Sequence, residues 1–482
     1  MNYRIFFRAS TLFYWILLFG CIDLGPGFKQ PDLGIQIPVS YKYAPAGTQS
    51  LLADDHWWKA FDDDELNRIV EEVIENNWDI KQAAARILEV RAEYVRVRAD
   101  RFPAVDIAGT KDRRAVRSGQ SEKSVIVDNY ELGAPAAYEV DLWSRLKKAS
   151  QAAWDDILRE EEARRTVAQS VVAEAITLYL EMEAVERRLQ IADQSIEAFR
   201  QSLQFVESRY RRGLTSVLDV YQARRVLAQA ETLVPQLEQE LGIVQQQLSV
   251  LWGRYPVTHP PRSQPPDYYK QLPPVPPGLP SELLWRRPDL QAAEAQLKSL
   301  NELVGVAKAA RFPAISLTGN YGWSSEDLNN LLRADNVVWN LSAGIVQPVF
   351  DAGRLKANQR AAEARYHQGI AEYVKAVLNA FAEVEGALLT RELQMERRQR
   401  ELKFLEEARA TQRVAQQRYT RGLVIYLDVL NAQITRYQAE DNLVLVDLAL
   451  LQNRVELYRA LGGSWAAPNP AAAEDDGIFF RF

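Results

Sequence analysis

Apolar residues recur at intervals of seven between positions 171 and 210. Val171, Leu178, Val185, Ala192, Phe199 and Val206 hold one register, and Ala175, Met182, Leu189, Ile196, Leu203 and Tyr210 fill the position four residues on. A seven-residue repeat of this kind predicts a helix that packs as a left-handed coiled coil. No proline interrupts residues 142–210. The helical run is therefore ~70 residues, on the order of 100 Å at the α-helical rise per residue.

Elsewhere the period is two. From Ile315 to Trp323 the odd positions are apolar or aromatic apart from Gly319, and the even ones are small or polar. Val337, Trp339, Leu341, Ala343 and Ile345 repeat the alternation against Asn340, Ser342 and Gly344. A weaker version sets Val105 and Ile107 against Asp106, and Tyr130, Leu132, Ala134 and Ala136 against Asn129, Glu131 and Gly133. The pattern predicts four strands, about 103–117, 125–138, 313–325 and 335–348. A half-buried sheet in a water-soluble domain gives this alternation, and so does the wall of a membrane barrel. Four strands cannot close a barrel, since the smallest have ~8, and lipid tolerates no open sheet edge. A membrane role therefore requires several chains. Two would pool 4 × 2 = 8 strands and three would pool 4 × 3 = 12, taking roughly four per chain from the alternation.

The chain is written twice. RYRRGLTSVLDV at 209–220 returns as RYTRGLVIYLDV at 418–429, an offset of 418 − 209 = 209. Arg101-Phe102-Pro103-Ala104 returns as Arg311-Phe312-Pro313-Ala314, and Arg145-Leu146-Lys147 as Arg354-Leu355-Lys356. Landmarks in constant order and near-constant spacing mark an internal duplication. The repeats cover 61–258 and 282–463, each with a helix, two strands and two long helices. In the first the long helices are expected at about 142–210 and 217–252; in the second, at about 351–420 and 425–461. A proline-rich linker, 259–281, separates the copies, because proline at this density supports neither helix nor central strand. An extended strap covers 21–60, and 464–482 form a C-terminal tail.

Residues 1–20 carry Arg4 and Arg8 before a short apolar run that ends in Leu18-Phe19-Gly20-Cys21. The run is shorter than a membrane-spanning helix and has the layout of a secretory signal. Its L-x-G-C ending resembles a bacterial lipoprotein signal, which makes Cys21 the candidate lipidation site. Ile22, rather than Asp, follows the Cys, and by analogy with lipoprotein sorting this favours the outer membrane.

Composition narrows the function. Net charge is −6 with 25% charged residues, unlike a basic nucleic-acid binder, so no nucleic-acid partner is expected. Three His and one Cys leave no metal cluster or disulfide framework to expect, and no cofactor. There is no phosphate-binding glycine loop or nucleophile motif, which argues against an enzyme.

The parts together resemble the outer-membrane efflux proteins of the TolC type, within them the lipid-anchored branch that serves resistance-nodulation-division pumps. The matching stretches are the anchor at Cys21, Tyr138-Glu139-Val140-Asp141-Leu142-Trp143, Gly278-Leu279-Pro280-Ser281-Glu282-Leu283-Leu284 with Arg286-Arg287-Pro288-Asp289-Leu290, and Gln347-Pro348-Val349-Phe350-Asp351-Ala352-Gly353-Arg354. The resemblance implies a mostly α fold with a transmembrane β part. In it a homotrimer shares a 12-stranded barrel that continues into a long α-helical barrel, with a small mixed α/β equatorial region. It implies a passive exit duct in the outer membrane, in contact with its lipid. The partners implied are a periplasmic adaptor and an inner-membrane resistance-nodulation-division transporter. Two other readings remain open: an exit duct for polypeptides under an ABC-type exporter, and a periplasmic coiled-coil lipoprotein with no transport role.

Site residues follow from that layout. Gly213 and Gly422 supply the backbone freedom for a helix reversal. Arg211, Arg212, Leu214, Asp219, Arg421 and Leu423 surround them, so these stretches are expected to be hairpin tips on which an adaptor docks. The position where relatives commonly carry a gate Asp is Asn431 here, and the Arg often found three residues later is Ile434. Asp428 lies on the same helix face, one turn nearer the tip, and with Asn431 forms the candidate periplasmic gate.

Overall fold

A computed structural model describes residues 23–44, 56–117, 124–262 and 275–463. Cys21, the signal segment 1–20, the tail 464–482 and parts of the strap and linker lie outside the described residues. Backbone contacts divide the chain into two units. One takes in the residues up to Gly34, Ala85–Glu161 and Ala292–Lys375; the other holds Ile35–Ala84, Glu162–Gln291 and the residues from Ala376 on.

The first repeat opens with α1 (Asp64–Asn76) and α2 (Trp78–Ala99). Asp63 caps α1 by accepting from the Leu66 N–H, and Leu66, Ile69, Val70 and Val73 form its buried face. Asn77 separates the two helices. Its Oδ1 accepts from the N–H groups of Asp79 and Ile80 at the start of α2, and its Nδ2 donates to the Leu251 carbonyl.

The sheet belongs to the first unit. Its strands are β1 (Ala104–Val105), β2 (Ala108–Arg117), β3 (Ser124–Val140), β4 (Ala314–Ser325) and β5 (Val337–Val346), all antiparallel. β1 and β2 both pair with β3 in a single register, because 104 + 137 and 108 + 133 both equal 241. They are one strand interrupted where Pro135, having no N–H, leaves the ladder a bond short while its carbonyl accepts from Asp106. The result is a four-strand meander in which β3–β4 joins the repeats. β1/β2 and β5 are its outer strands, and each pairs on one side only among the described residues. Gly133 stands opposite Gly322, where a Cβ on Gly322 would lie 2.3 Å from the Leu132 carbonyl oxygen. Only glycine fits so close an approach.

The long helices follow the strands. α3 (Arg145–Arg211) comes after β3, and α4 (Val217–Glu231) and α5 (Leu233–Leu251) form the return. After the linker come α6 (Pro280–Arg286) and α7 (Pro288–Ala309); beyond β5 lie α8 (Arg354–Thr420) and α9 (Tyr426–Ala460). The sequence predicts one return helix over 217–252, whereas two succeed each other with a break at Thr232. Pro235 explains it: the ring has no N–H for the Glu231 carbonyl and clashes with it, so α4 stops at that residue. Its counterpart α9 has no proline and runs unbroken for 35 residues.

The heptad on α3 is the spine of the second unit. All six residues of the first register, from Val171 to Val206, are buried, as are Ala175, Met182, Leu189 and Ile196 of the second. Tyr210 departs from the pattern and is exposed, one residue before the helix ends. Up to Ala192 the stripe packs with α1, α5 and part of α9, around Trp57, Trp58, Leu241, Leu248 and Val455; Ile196, Phe199 and Val206 pack with α4 and the start of α9, around Val220, Val226 and Leu430.

Candidate functional site

The sheet register sorts the strand residues into two faces. Tyr130, Leu132, Ala134 and Ala136 of β3 share a face with Tyr321, Trp323 and Gly319 of β4, and through them with Trp339, Val337 and Leu341 of β5. Glu131, Gly133, Ser324, Asn320, Thr318, Asn340 and Ser342 share the other. On that second face Asn129 donates to Glu131 at 2.7 Å and Ser324 to Asn129 at 3.1 Å. Trp339 and Leu341 are 73% and 78% exposed, a cost in water that lipid would remove. Among the described residues no helix is long and apolar enough to cross a membrane. By its exposed tryptophan and leucine, the apolar face of the sheet is a surface suited to lipid.

Both strand-to-helix passages are tied by an aspartate. Asp141 accepts from the Lys147 N–H at 2.8 Å before α3. Asp351, 351 − 141 = 210 residues later, accepts from the N–H groups of Gly353 and Leu355 at 2.9 Å each before α8. The Leu355 hydrogen bond in particular holds the Asp351 carboxyl below its usual range. Arg145 closes the first passage with three bonds to Glu139, at 2.7, 2.8 and 3.2 Å, and the Trp143 indole donates to the Pro313 carbonyl at 2.8 Å.

The two RY-x-RGL stretches end α3 and α8 in the same way. Gly213 and Gly422 take φ of +71° and +74°, where L side chains are strained. Gly213 donates to Tyr210 and Leu214 to Arg209; Gly422 donates to Tyr419 and Leu423 to Arg418. This pair of bonds closes a helix by the Schellman arrangement. Arg211, Arg212, Leu214, Arg421 and Leu423 are all exposed around the turns. Beneath them the Arg209 guanidinium lies 5.0 Å from the Tyr419 ring, and Tyr426 shares a 2.8 Å hydrogen bond with Ser202.

The copies differ at their aspartates. Asp219 is half-buried and accepts from the Thr215 hydroxyl. Its counterpart Asp428 is exposed, and Val424, which replaces Thr215, has no hydroxyl to offer. Asn431 is exposed one turn further along α9, and Ile434 packs partly buried against the tip cluster.

Two charged centres carry no signal in the sequence. In the first unit the Lys148 side chain, 6% exposed, passes between Gly25 and Gly305 to reach Asp23 at 3.0 Å and Glu302 at 2.9 Å. Burial opposes its charge, but the hydrogen bonds to Glu302 and Asp23 outweigh it and hold the pKa above the ordinary lysine value. Asn301 adds a 2.9 Å bond to the Pro26 carbonyl, so the start of the described strap is fastened to α3 and α7. In the second unit Arg262, at the start of the linker, donates to Glu186 at 3.1 Å and pairs with Glu65. Nearby, burial first and the Asp63 carboxylate second push Glu183 up to about 7. Both centres join residues remote in sequence, which no local pattern reveals.

The model of the family described as "Outer membrane efflux protein" matches residues 69–254 and 279–463, once in each repeat. The solvent efflux pump outer membrane protein SrpC of Pseudomonas putida is 33% identical over 466 residues, covering 95% of this chain and 99% of that protein. The cation efflux system protein CusC of Escherichia coli O6:H1 is 31% identical over 454 residues, 93% of this chain and 97% of its own. Among solved structures, the outer-membrane channel OprN superposes with a TM-score of 0.86 at 30% identity, over 92% of this chain and 99% of that one. A CusC structure gives 0.83 at 30% identity, over 91% and 99%.

Proposed function

This chain belongs to the outer membrane efflux protein family and is an outer-membrane efflux channel, and we propose that it works as a homotrimer fed by a periplasmic adaptor and an inner-membrane resistance-nodulation-division transporter. The observation that carries the trimer is the sheet: four strands, one apolar face, one polar face and two outer strands paired on one side only. In lipid those edges must pair, and three copies supply the 4 × 3 = 12 strands of a closed wall. The polar face then lines a water-filled lumen. Energy comes from the transporter, and the channel offers a passage.

Relatives are named for solvent and for cation efflux, and the proposed cargo is of that small-molecule kind. Deleting the gene should sensitise cells to solvents, drugs or metal ions and leave protein secretion intact. A secretion defect with unchanged susceptibility would overturn this reading in favour of a polypeptide duct.

The exposed turns at Gly213 and Gly422 are the proposed docking points for the adaptor. Leu214 and Leu423 offer apolar contact between the cations Arg211, Arg212 and Arg421, with Asp219 held inward by Thr215. Asp428 and Asn431 are the proposed gate, since both are exposed on one face of α9 near its start. Three copies of Asp428 brought together would repel one another and attract cations. A bound divalent cation offsets that repulsion and holds the ring shut, so Asp428→Ala should raise the resting conductance seen with divalent ions present and weaken its response to them; wild-type behaviour in both would remove Asp428 from the gate. Cys21 is the proposed lipid attachment point.

A further inference from the structure

The apolar face of the sheet changes character toward the end away from the helices. Near the helical end Val105 of β1 lies opposite Ala136, and Gly109 of β2 lies opposite Leu132, which pairs with Trp323. The next row sets Lys111 opposite Tyr130, and the row beyond sets Arg113 opposite Asp128. The Lys111 ammonium stands 5.1 Å from the centre of the Tyr130 ring. Arg113 keeps 62% of its side chain exposed and lies 3.6 Å from Asp128, beyond hydrogen-bond length. Asp112 and Arg114 point to the opposite face and pair with each other at 2.7 Å, so they leave this surface unchanged.

Apolar rows, then aromatics, then cations is the order of a membrane surface: hydrocarbon, interface, headgroups. All four helical connections leave the sheet at its other end, so in an outer-membrane channel this end faces the outer leaflet. A lysine and an arginine on a lipid-facing strand are favourable there when anionic groups meet them. We propose that Lys111 and Arg113 bind the phosphate groups of an outer-leaflet lipid, with Tyr130 and Trp323 receiving the upper part of its acyl chains. Asp128 is the opposing charge and weakens the site. The inference rests on the barrel reading above, which fixes this face as the lipid-exposed one.

Native mass spectrometry of the purified complex, titrated with diphosphoryl lipid A and with its dephosphorylated form, tests it. Wild type should retain the phosphorylated lipid preferentially. Lys111→Gln with Arg113→Gln should cut that preference by about 25-fold, about fivefold for each cation. Asp128→Asn should strengthen it, and Arg400→Gln, a charge change on α8, should leave it unaltered. Equal retention of both lipids by wild type, an undiminished preference in the double variant, or an equal loss in Arg400→Gln would overturn the proposal. Should the double variant fail to assemble, Asp128→Asn decides alone: no gain in retention rejects the site. Failure of the barrel reading would show separately, as a wild-type protein that forms no channels in a planar bilayer.

Discussion

Lys148 is a buried charge held by two carboxylates, and such a group is worth most when its partners are intact. Lys148→Met removes the charge and leaves Glu302 partly buried without it, a loss of ~2 kcal/mol. Asp23 is half exposed and rehydrates, so the strap should loosen and limited proteolysis should cut near residues 23–30 sooner than in wild type. Adding Asp23→Asn and Glu302→Gln should recover part of the stability but leave the strap loose. Glu183 makes the opposite kind of demand. Its folded pKa of about 7 lies above the ordinary 4.5, so the folded state holds the proton more tightly than the unfolded state. Its contribution to stability therefore falls as pH rises from about 4.5 to about 7, by about 3 kcal/mol, and is flat above that. Glu183→Gln should flatten the slope of melting temperature against pH in that window and raise stability at pH ~8; an unchanged slope would place its origin elsewhere.

At the scale of elements, the return helix of the first repeat is the part that proline shapes. Pro235→Ala supplies the missing N–H for the Glu231 carbonyl and removes the clash, so α4 and α5 should merge into one helix like α9. Hydrogen exchange at residues 231–235 should slow; unaltered exchange would show that Thr232 and its packing set the break. The seven-residue stripe of α3 and the alternation of β4 and β5 were legible because a regular element repeats its environment along the chain. Pro235 and Pro135 were visible as residues, yet the periods on either side ran on across them, and their effect on the local hydrogen bonds came only with the structure. The tips were legible through the duplicated glycine. The difference between Asp219 and Asp428 was not, because it depends on which hydroxyl lies one turn back. The Lys148 and Arg262 centres join residues 154 and 76 positions apart, and sequence spacing says nothing about such partners.

For the whole molecule, the duplication supplies two strand pairs and two hairpin tips per chain, and neither closes anything alone. The sheet has two half-paired outer strands, and its exposed Trp339 and Leu341 would be a liability on a monomer in water. The mass of the detergent-extracted complex should therefore be three times that of the mature chain. Charge reversal at Arg212 and Arg421 should weaken adaptor binding and efflux while leaving that mass unchanged. Whether the chain is a channel at all is read from the conductance of the purified protein in a planar bilayer. The trimer should form discrete channels, small at rest and enlarged by Asp428→Ala. A folded trimer that stays silent in the bilayer, in wild type and in the variant alike, would contradict it.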